Sequence, residues 1–192
     1  MHRNVKFLCS MLLVCFLTPV WAHSGLDHVM GFETGLLHPW SGFDHLIVMF
    51  AVGVCASGLN GMRAIGLPSV ILAFTVVGAS AVFLGAVVPV IDLGILLSLL
   101  VTGALLISSK QPPVFLLFPS LAGFAFCHGY AHAVEITEGA HIADYLIGLL
   151  SGTALIIGLG FSLSRLCSQR GVHLRLLTGL VNMTVGVLAF VN

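Results

Sequence analysis

The chain has 192 residues, 58% of them hydrophobic and only 7% charged, against roughly 45–50% apolar and about 25% charged in an ordinary soluble domain. That composition excludes a soluble globular fold, and the balance of seven Lys and Arg against seven Asp and Glu excludes the basic surface of a nucleic-acid binder. Nine histidines outnumber either charge class, an anomaly in so apolar a chain. The first 22 residues read as a cleaved secretory signal, with Arg3 and Lys6 at the charged start, Phe7 to Leu17 as the apolar run and Pro19-Val20-Trp21-Ala22 as the small-residue exit. Cleavage after Ala22 leaves His23 as the mature N-terminus; the alternative is an uncleaved anchor.

Beyond a short polar stretch from His23 to Glu33, apolar segments of about 20 residues recur to the end, each long enough to cross a bilayer as a helix. Six spans follow: Pro39 to Leu59, Ala64 to Val88, Leu93 to Ser108, Val114 to Glu135, Ile142 to Ser164 and Leu174 to Val191. The breaks carry turn residues at Asn60-Gly61, Pro89, Pro112-Pro113, Gly139 and Gly171. The fold class is therefore all-α and polytopic, with residues 23–192 forming a single six-helix transmembrane domain. Small residues at helix-packing spacing, Gly148 with Gly152, Gly78 near Ser80 and Gly179 with Gly186, predict close helix approach in lipid. The scattered cysteines, Cys9, Cys15, Cys55, Cys127 and Cys167, show no CxxC spacing and predict no disulfide framework.

A signal peptide puts the mature N-terminus outside the cytoplasm, so six crossings make every odd connection cytoplasmic and return the C-terminus to the periplasm. Arg63, Lys110, Arg165, Arg170 and Arg175 all then fall inside, as the positive-inside rule requires. Asp27, Glu33, Asp44, Asp92, Glu135, Glu138 and Asp144 fall at or near the outer face, a negative mouth that concentrates cations.

Two motifs carry chemistry. The first is His38-Pro-Trp-Ser-Gly-Phe-Asp44-His45, where Pro39 is expected to start the first helix. At about 1.5 Å per residue, Asp44 and His45 lie some 8–9 Å below that start, and His38 and His45 share a face. The second is His128-Gly-Tyr-Ala-His132-Ala-Val-Glu135 at the end of the fourth helix. At roughly 100° per residue, His128, His132 and Glu135 project at about 0°, 40° and −20°, one narrow stripe. The first helix runs inward and the fourth outward, so both motifs reach the same face, with His45 level with His128 and His38 level with His132 and Glu135. An ionisable group inside a membrane costs about 2.5–3.5 kcal/mol at mid-helix and marks an ion pathway. Six such groups on two helices predict one shared metal site; the alternatives are a structural hydrogen-bond network or a proton relay. Imidazole with carboxylate suits Ni, Co, Zn, Cu(II) or non-haem Fe and argues against Cu(I). Cys127 reads as packing beside the site, with sulfur ligation as the alternative.

The pair HPWSGFDH and FCHGYAHAVE, behind a signal peptide and with six spans, resembles the HupE/UreJ family of nickel and cobalt permeases. That family carries His-x5-Asp-His in the first helix and His-Gly-x-Ala-His-Gly-x-Glu in the fourth. The resemblance covers essentially the whole mature chain and falls on His38, Asp44 and His45, and on His128, His132 and Glu135; Ala133 stands where the family usually has Gly. It implies an inner-membrane secondary permease, not an enzyme, that imports Ni2+ or Co2+ from periplasm to cytoplasm. The metal is substrate, with no resident cofactor, and the only other partner implied is the lipid bilayer. His23, His28, His141 and Asp144 are possible accessory metal-capture groups, each read equally or better as solvated polar residues. The alternative functions are an intramembrane Zn- or Fe-dependent metalloenzyme using the same histidines, and a metal sensor. A permease needs a polar route inward, and the inner halves of the helices offer only Ser98, Thr102 and Asn182 for it.

Overall fold

The computed structural model describes residues 30–108, 113–169 and 173–191. The expected signal peptide, His23, Asp27, His28, Lys110 and Arg170 lie outside the described residues. Among those described, all regular structure is helical: α1 (Phe32–Ser41), α2 (Phe43–Ser57), α3 (Met62–Phe83), α4 (Ile91–Ile107), α5 (Val114–Val134), α6 (Ile142–Gln169) and α7 (Leu174–Val191). Four of them, α3, α5, α6 and α7, are long and apolar enough to cross a bilayer, and the bent pair α1 and α2 makes a fifth. Phe74, Val77, Leu116, Leu155, Leu188 and Phe190 are exposed, the apolar exterior of a protein whose solvent is lipid.

The first expected span is not one straight helix from Pro39. It begins at Phe32, holds Pro39 inside α1, breaks at Gly42 and resumes as α2 at an angle of 84°. The cause is local. Proline removes one helical donor, the Ser41 hydroxyl donates to the His38 carbonyl at 2.7 Å, and Gly42 takes an extended conformation with ψ 109°. His38 and His45 therefore do not share a helix face. The second span also ends earlier than Val88, because Gly85 at φ +77° adopts the left-handed conformation that closes α3.

Helix α2 is the hub. From Ile47 to Ala56 nearly every side chain is buried, as expected of a helix that is apolar all round. It packs on α6, α4 and α7, while α1 also lies on α6, α3 pairs with α5 and α4 with α7. Backbones touch where glycine removes the Cβ. A methyl on Gly78 of α3 would stand 2.0 Å from the Phe126 carbonyl, and one on Gly129 of α5 would stand 2.0 Å from the Thr75 carbonyl. Gly129 lies between His128 and His132, so this crossing sets where both imidazoles sit.

The helix ends sort by charge. Arg165 donates to the Leu59 carbonyl at 3.2 Å and Arg175 to the Leu105 and Ser108 carbonyls at 2.9 Å each, at one end of the bundle. Glu33, Asp44, Asp92 and Asp144 each fall in the first turn of a helix at the other end, where a carboxylate meets the positive end of the helix dipole.

Candidate metal centre

Three helices bring the two motifs together. His38 comes from the last turn of α1, His45 from the first turn of α2, and His128 and His132 from the last two turns of α5, with Glu135 as the cap of α5. The bend at Gly42 is what brings His38 and His45 to the same partner. His38 Nε2 lies 2.9 Å from His132 Nδ1, and His132 Nε2 lies 2.8 Å from His45 Nδ1. The rings of His45 and His128 are 5.2 Å apart, and His38 Nε2 stands 3.3 Å from a Glu135 carboxylate oxygen.

Two triads result, His45 with His128 and His132, and His38 with His132 and Glu135, the donor atoms of each within 4.8 Å of one another. His132 belongs to both. Side-chain exposure falls along the cluster from 57% at Glu135 to 28% at His38 and 11% at His132, and His45 and His128 are buried. The sequence thus opens at a carboxylate and ends in imidazoles sealed from solvent. Metal bonds of about 2.1 Å at right angles put neighbouring donors about 3 Å apart, close to the 2.8 and 2.9 Å between the histidine nitrogens.

Hydrogen counting assigns the neutral rings. A carboxylate only accepts, so His38 Nε2–H points at Glu135 and His132 Nδ1; His132 Nε2–H then donates to His45 Nδ1, and His45 Nε2–H to Thr153 Oγ1 at 3.2 Å. The Ser98 hydroxyl donates its one hydrogen to the Ile95 carbonyl at 2.6 Å, so it accepts from His128 Nε2–H at 3.2 Å. That leaves Nδ1 as the lone-pair atom of His128. Just beyond the helix, the neighbouring imidazoles of His132 and then His38 hold the Glu135 carboxyl well below the usual carboxylate range.

Five of the six expected site residues are gathered here. Asp44, half-buried in the first turn of α2, is in neither triad. His141 and Asp144 are exposed and also outside both; the His141 amide instead donates to the Met30 carbonyl at 2.8 Å, tying the chain ahead of α1 to α6. Cys127 packs on α4, its sulfur 2.3 Å from where a Cβ on Gly94 would stand. Two neighbours went unnoticed in the sequence. Thr153 supports His45, and Tyr145 is fully buried with its ring 6.0 Å from that of His38 and its hydroxyl without a hydrogen-bond partner among the described residues. Both are polar interruptions of the apolar fifth span, which was the available signal.

Comparisons with known proteins agree with the motifs. A family model described as HupE / UreJ protein matches residues 11–189. The protein HupE of Rhizobium leguminosarum bv. viciae is 33% identical over 148 residues, which cover 76% of this chain and 75% of that protein. No solved structure matches the chain. With nearly its full length matched by the family and both histidine motifs in place, the chain is a membrane protein of the HupE/UreJ family.

Proposed function

We propose that this chain is a secondary permease that imports Ni2+ or Co2+ through the histidine cluster. The observation that carries the reading is the pair of triads joined at His132, running from the exposed Glu135 to the buried His45 and His128. A neutral imidazole offers one lone pair, so His132 serves one triad at a time. An ion caught by Glu135 and His38 passes to His45 and His128 as His132 exchanges the nitrogen it presents. The ligand types suit nickel and cobalt, the metals of the family.

In this reading residues 1–22 are a cleaved signal, α1 and α2 together make the first of six spans, and the short α4 makes the third. The histidine end faces the periplasm and the arginine end the cytoplasm of the inner membrane. Asp44, next to His45 in the chain and in the acidic first turn of α2, draws the cation in. A divalent ion gains about 4.6 kcal/mol per 100 mV on moving inward, so no nucleotide is needed. The test is 63Ni2+ accumulation by cells that express the chain. We expect His45→Ala and Asp44→Asn each to abolish uptake while the protein still reaches the membrane; wild-type uptake by both variants would refute the reading.

A further inference from the structure

Among the described residues, the Tyr145 hydroxyl is the buried side-chain polar group left without a hydrogen-bond partner. Folded proteins rarely leave such a group unpaired, and where one persists, a partner that arrives with a ligand is a physical reason. The hydroxyl cannot turn to water, because Tyr145 is fully buried at a crossing where helix backbones touch. A methyl on Gly35 of α1 would stand 2.1 Å from the Tyr145 carbonyl oxygen, and one on Gly148 of α6 would stand 2.1 Å from that of Phe32. Gly35 precedes His38 on α1, so the same crossing sets the Tyr145 and His38 rings, 6.0 Å apart and tilted by 69°. The phenol oxygen and the near edge of the imidazole are a side-chain rotation apart.

The hydrogens of the outer triad say when that partner arrives. A metal bond needs a nitrogen lone pair. His132 already turns its Nδ1 lone pair to the triad and Glu135 its carboxylate, whereas His38 holds a hydrogen on Nε2, the nitrogen that faces them both. A cation bound by all three requires that hydrogen to leave Nε2 and, if the ring stays neutral, to return on Nδ1, by exchange with water at a side chain that is 28% exposed. Among the described residues His38 Nδ1 makes no hydrogen bond. A metal-bound imidazole almost always donates its other N–H to a fixed acceptor, and the unengaged oxygen beside this ring is that of Tyr145.

We propose that Tyr145 is a positioning residue of the outer triad, its hydroxyl oxygen accepting a hydrogen bond from His38 Nδ1–H when the divalent cation takes His38 Nε2; this rests on the import reading above. The pairing locks the His38 ring in the tautomer that binds metal. The proton only changes nitrogens, so charge balances, and Tyr145 itself never touches the ion. Because the hydroxyl is unpaired in the empty site and paired in the loaded one, its contribution appears as metal affinity and not as stability of the metal-free fold. A phenol that served the fold alone would do the reverse.

The test is titration calorimetry with Ni2+ on the purified full chain in two backgrounds. His128→Ala leaves only the outer triad complete, and His38→Ala only the inner one. Tyr145→Phe keeps the ring and removes the oxygen. We expect it to weaken Ni2+ binding about tenfold in the His128→Ala protein, the usual loss with an outer-shell partner, and to change it less than about twofold in the His38→Ala protein, where there is no partner to lose. Without metal, Tyr145→Phe should unfold at a temperature no lower than the wild type. Equal losses in both backgrounds, no loss in the His128→Ala protein, or lower metal-free stability overturns the proposal. Should Tyr145→Phe not fold, 15N-histidine NMR of the wild type with Zn2+ as a diamagnetic probe decides it. His38 should then carry its hydrogen on Nδ1 in slow exchange with water, and a freely exchanging Nδ1–H overturns the pairing. A His128→Ala protein that binds no Ni2+ removes the outer triad and the role of Tyr145 with it, whereas a wild type that neither binds nor moves Ni2+ sinks the import reading itself.

Discussion

His132 is the residue on which the cluster turns, because its two ring nitrogens join the exposed triad to the buried one. Losing an outer-shell partner of a metal costs roughly 10–100-fold, so His132→Ala, which removes a ligand from both triads, is expected to cost more than about 100-fold in Ni2+ affinity. His38→Ala should cost less, since it leaves His45, His128 and His132 together. Titration calorimetry separates the two; equal losses would show that the outer triad is no mere entrance. His45 and His128 should be non-additive, with His128→Ala costing much less once His45→Ala is present, because residues of one site act as a unit. Additive losses in that double-mutant cycle would mean two separate sites. The His128, His132 and Glu135 stripe was legible from helical spacing alone. Tyr145 and Thr153 were not, since a lone polar residue in an apolar run does not announce which helix it will meet.

Between helices, the glycine crossing of α3 and α5 holds the imidazoles of α5 at their height. A Cβ on Gly129 would stand 2.0 Å from a carbonyl oxygen, and backbone cannot give way as a side-chain tip does. Gly129→Ala should cost about 1–3 kcal/mol by overpacking and displace both histidines. Gly123→Ala, on the same helix with nothing within 4 Å of the new methyl, should instead gain roughly 0.5–1 kcal/mol. Thermal unfolding in detergent compares them, and equal effects would remove the crossing from the account. The all-helical, membrane-spanning character could be read from hydropathy, and α7 keeps its expected bounds, Leu174–Val191. The break at Gly42 could not, because Pro39 fits a helix start as well as a helix interior and only the packing of α1 on α6 chooses between them. That choice also decided how His38 reaches the site: by a sharp bend, not along a face.

Across the whole molecule, charge and chemistry share one axis. Arg165 and Arg175 bind the carbonyls of neighbouring helix ends opposite the histidines, which fits an arginine end held in the cytoplasm. Single cysteines in a background without native ones test this. Met62, 81% exposed at the start of α3, should be labelled only from the cytoplasm, and Val87, 87% exposed between α3 and α4, only from the periplasm. A reporter fused after Asn192 should be periplasmic. The reverse pattern would turn the import direction around. Charge placement gave this axis from the sequence, whereas the joining of two triads through one ring needed the folded geometry.

The helix that carries Ser98 and Thr102 has 17 residues, while α6 has 28. As the third span of the proposed topology, α4 at 1.5 Å per residue is about 25 Å long, shorter than the roughly 30 Å of hydrocarbon it would cross. Leu93, Leu97 and Ile107 of α4 are exposed, so the acyl chains beside this helix must compress to meet it, at a cost of fractions of a kcal/mol per Å. A dimple in the bilayer beside α4 follows. It brings water nearer to the α4 and α7 seam than a flat membrane would, and on the proposed import reading it makes the rate of transport a property of lipid thickness as well as of the protein's own side chains.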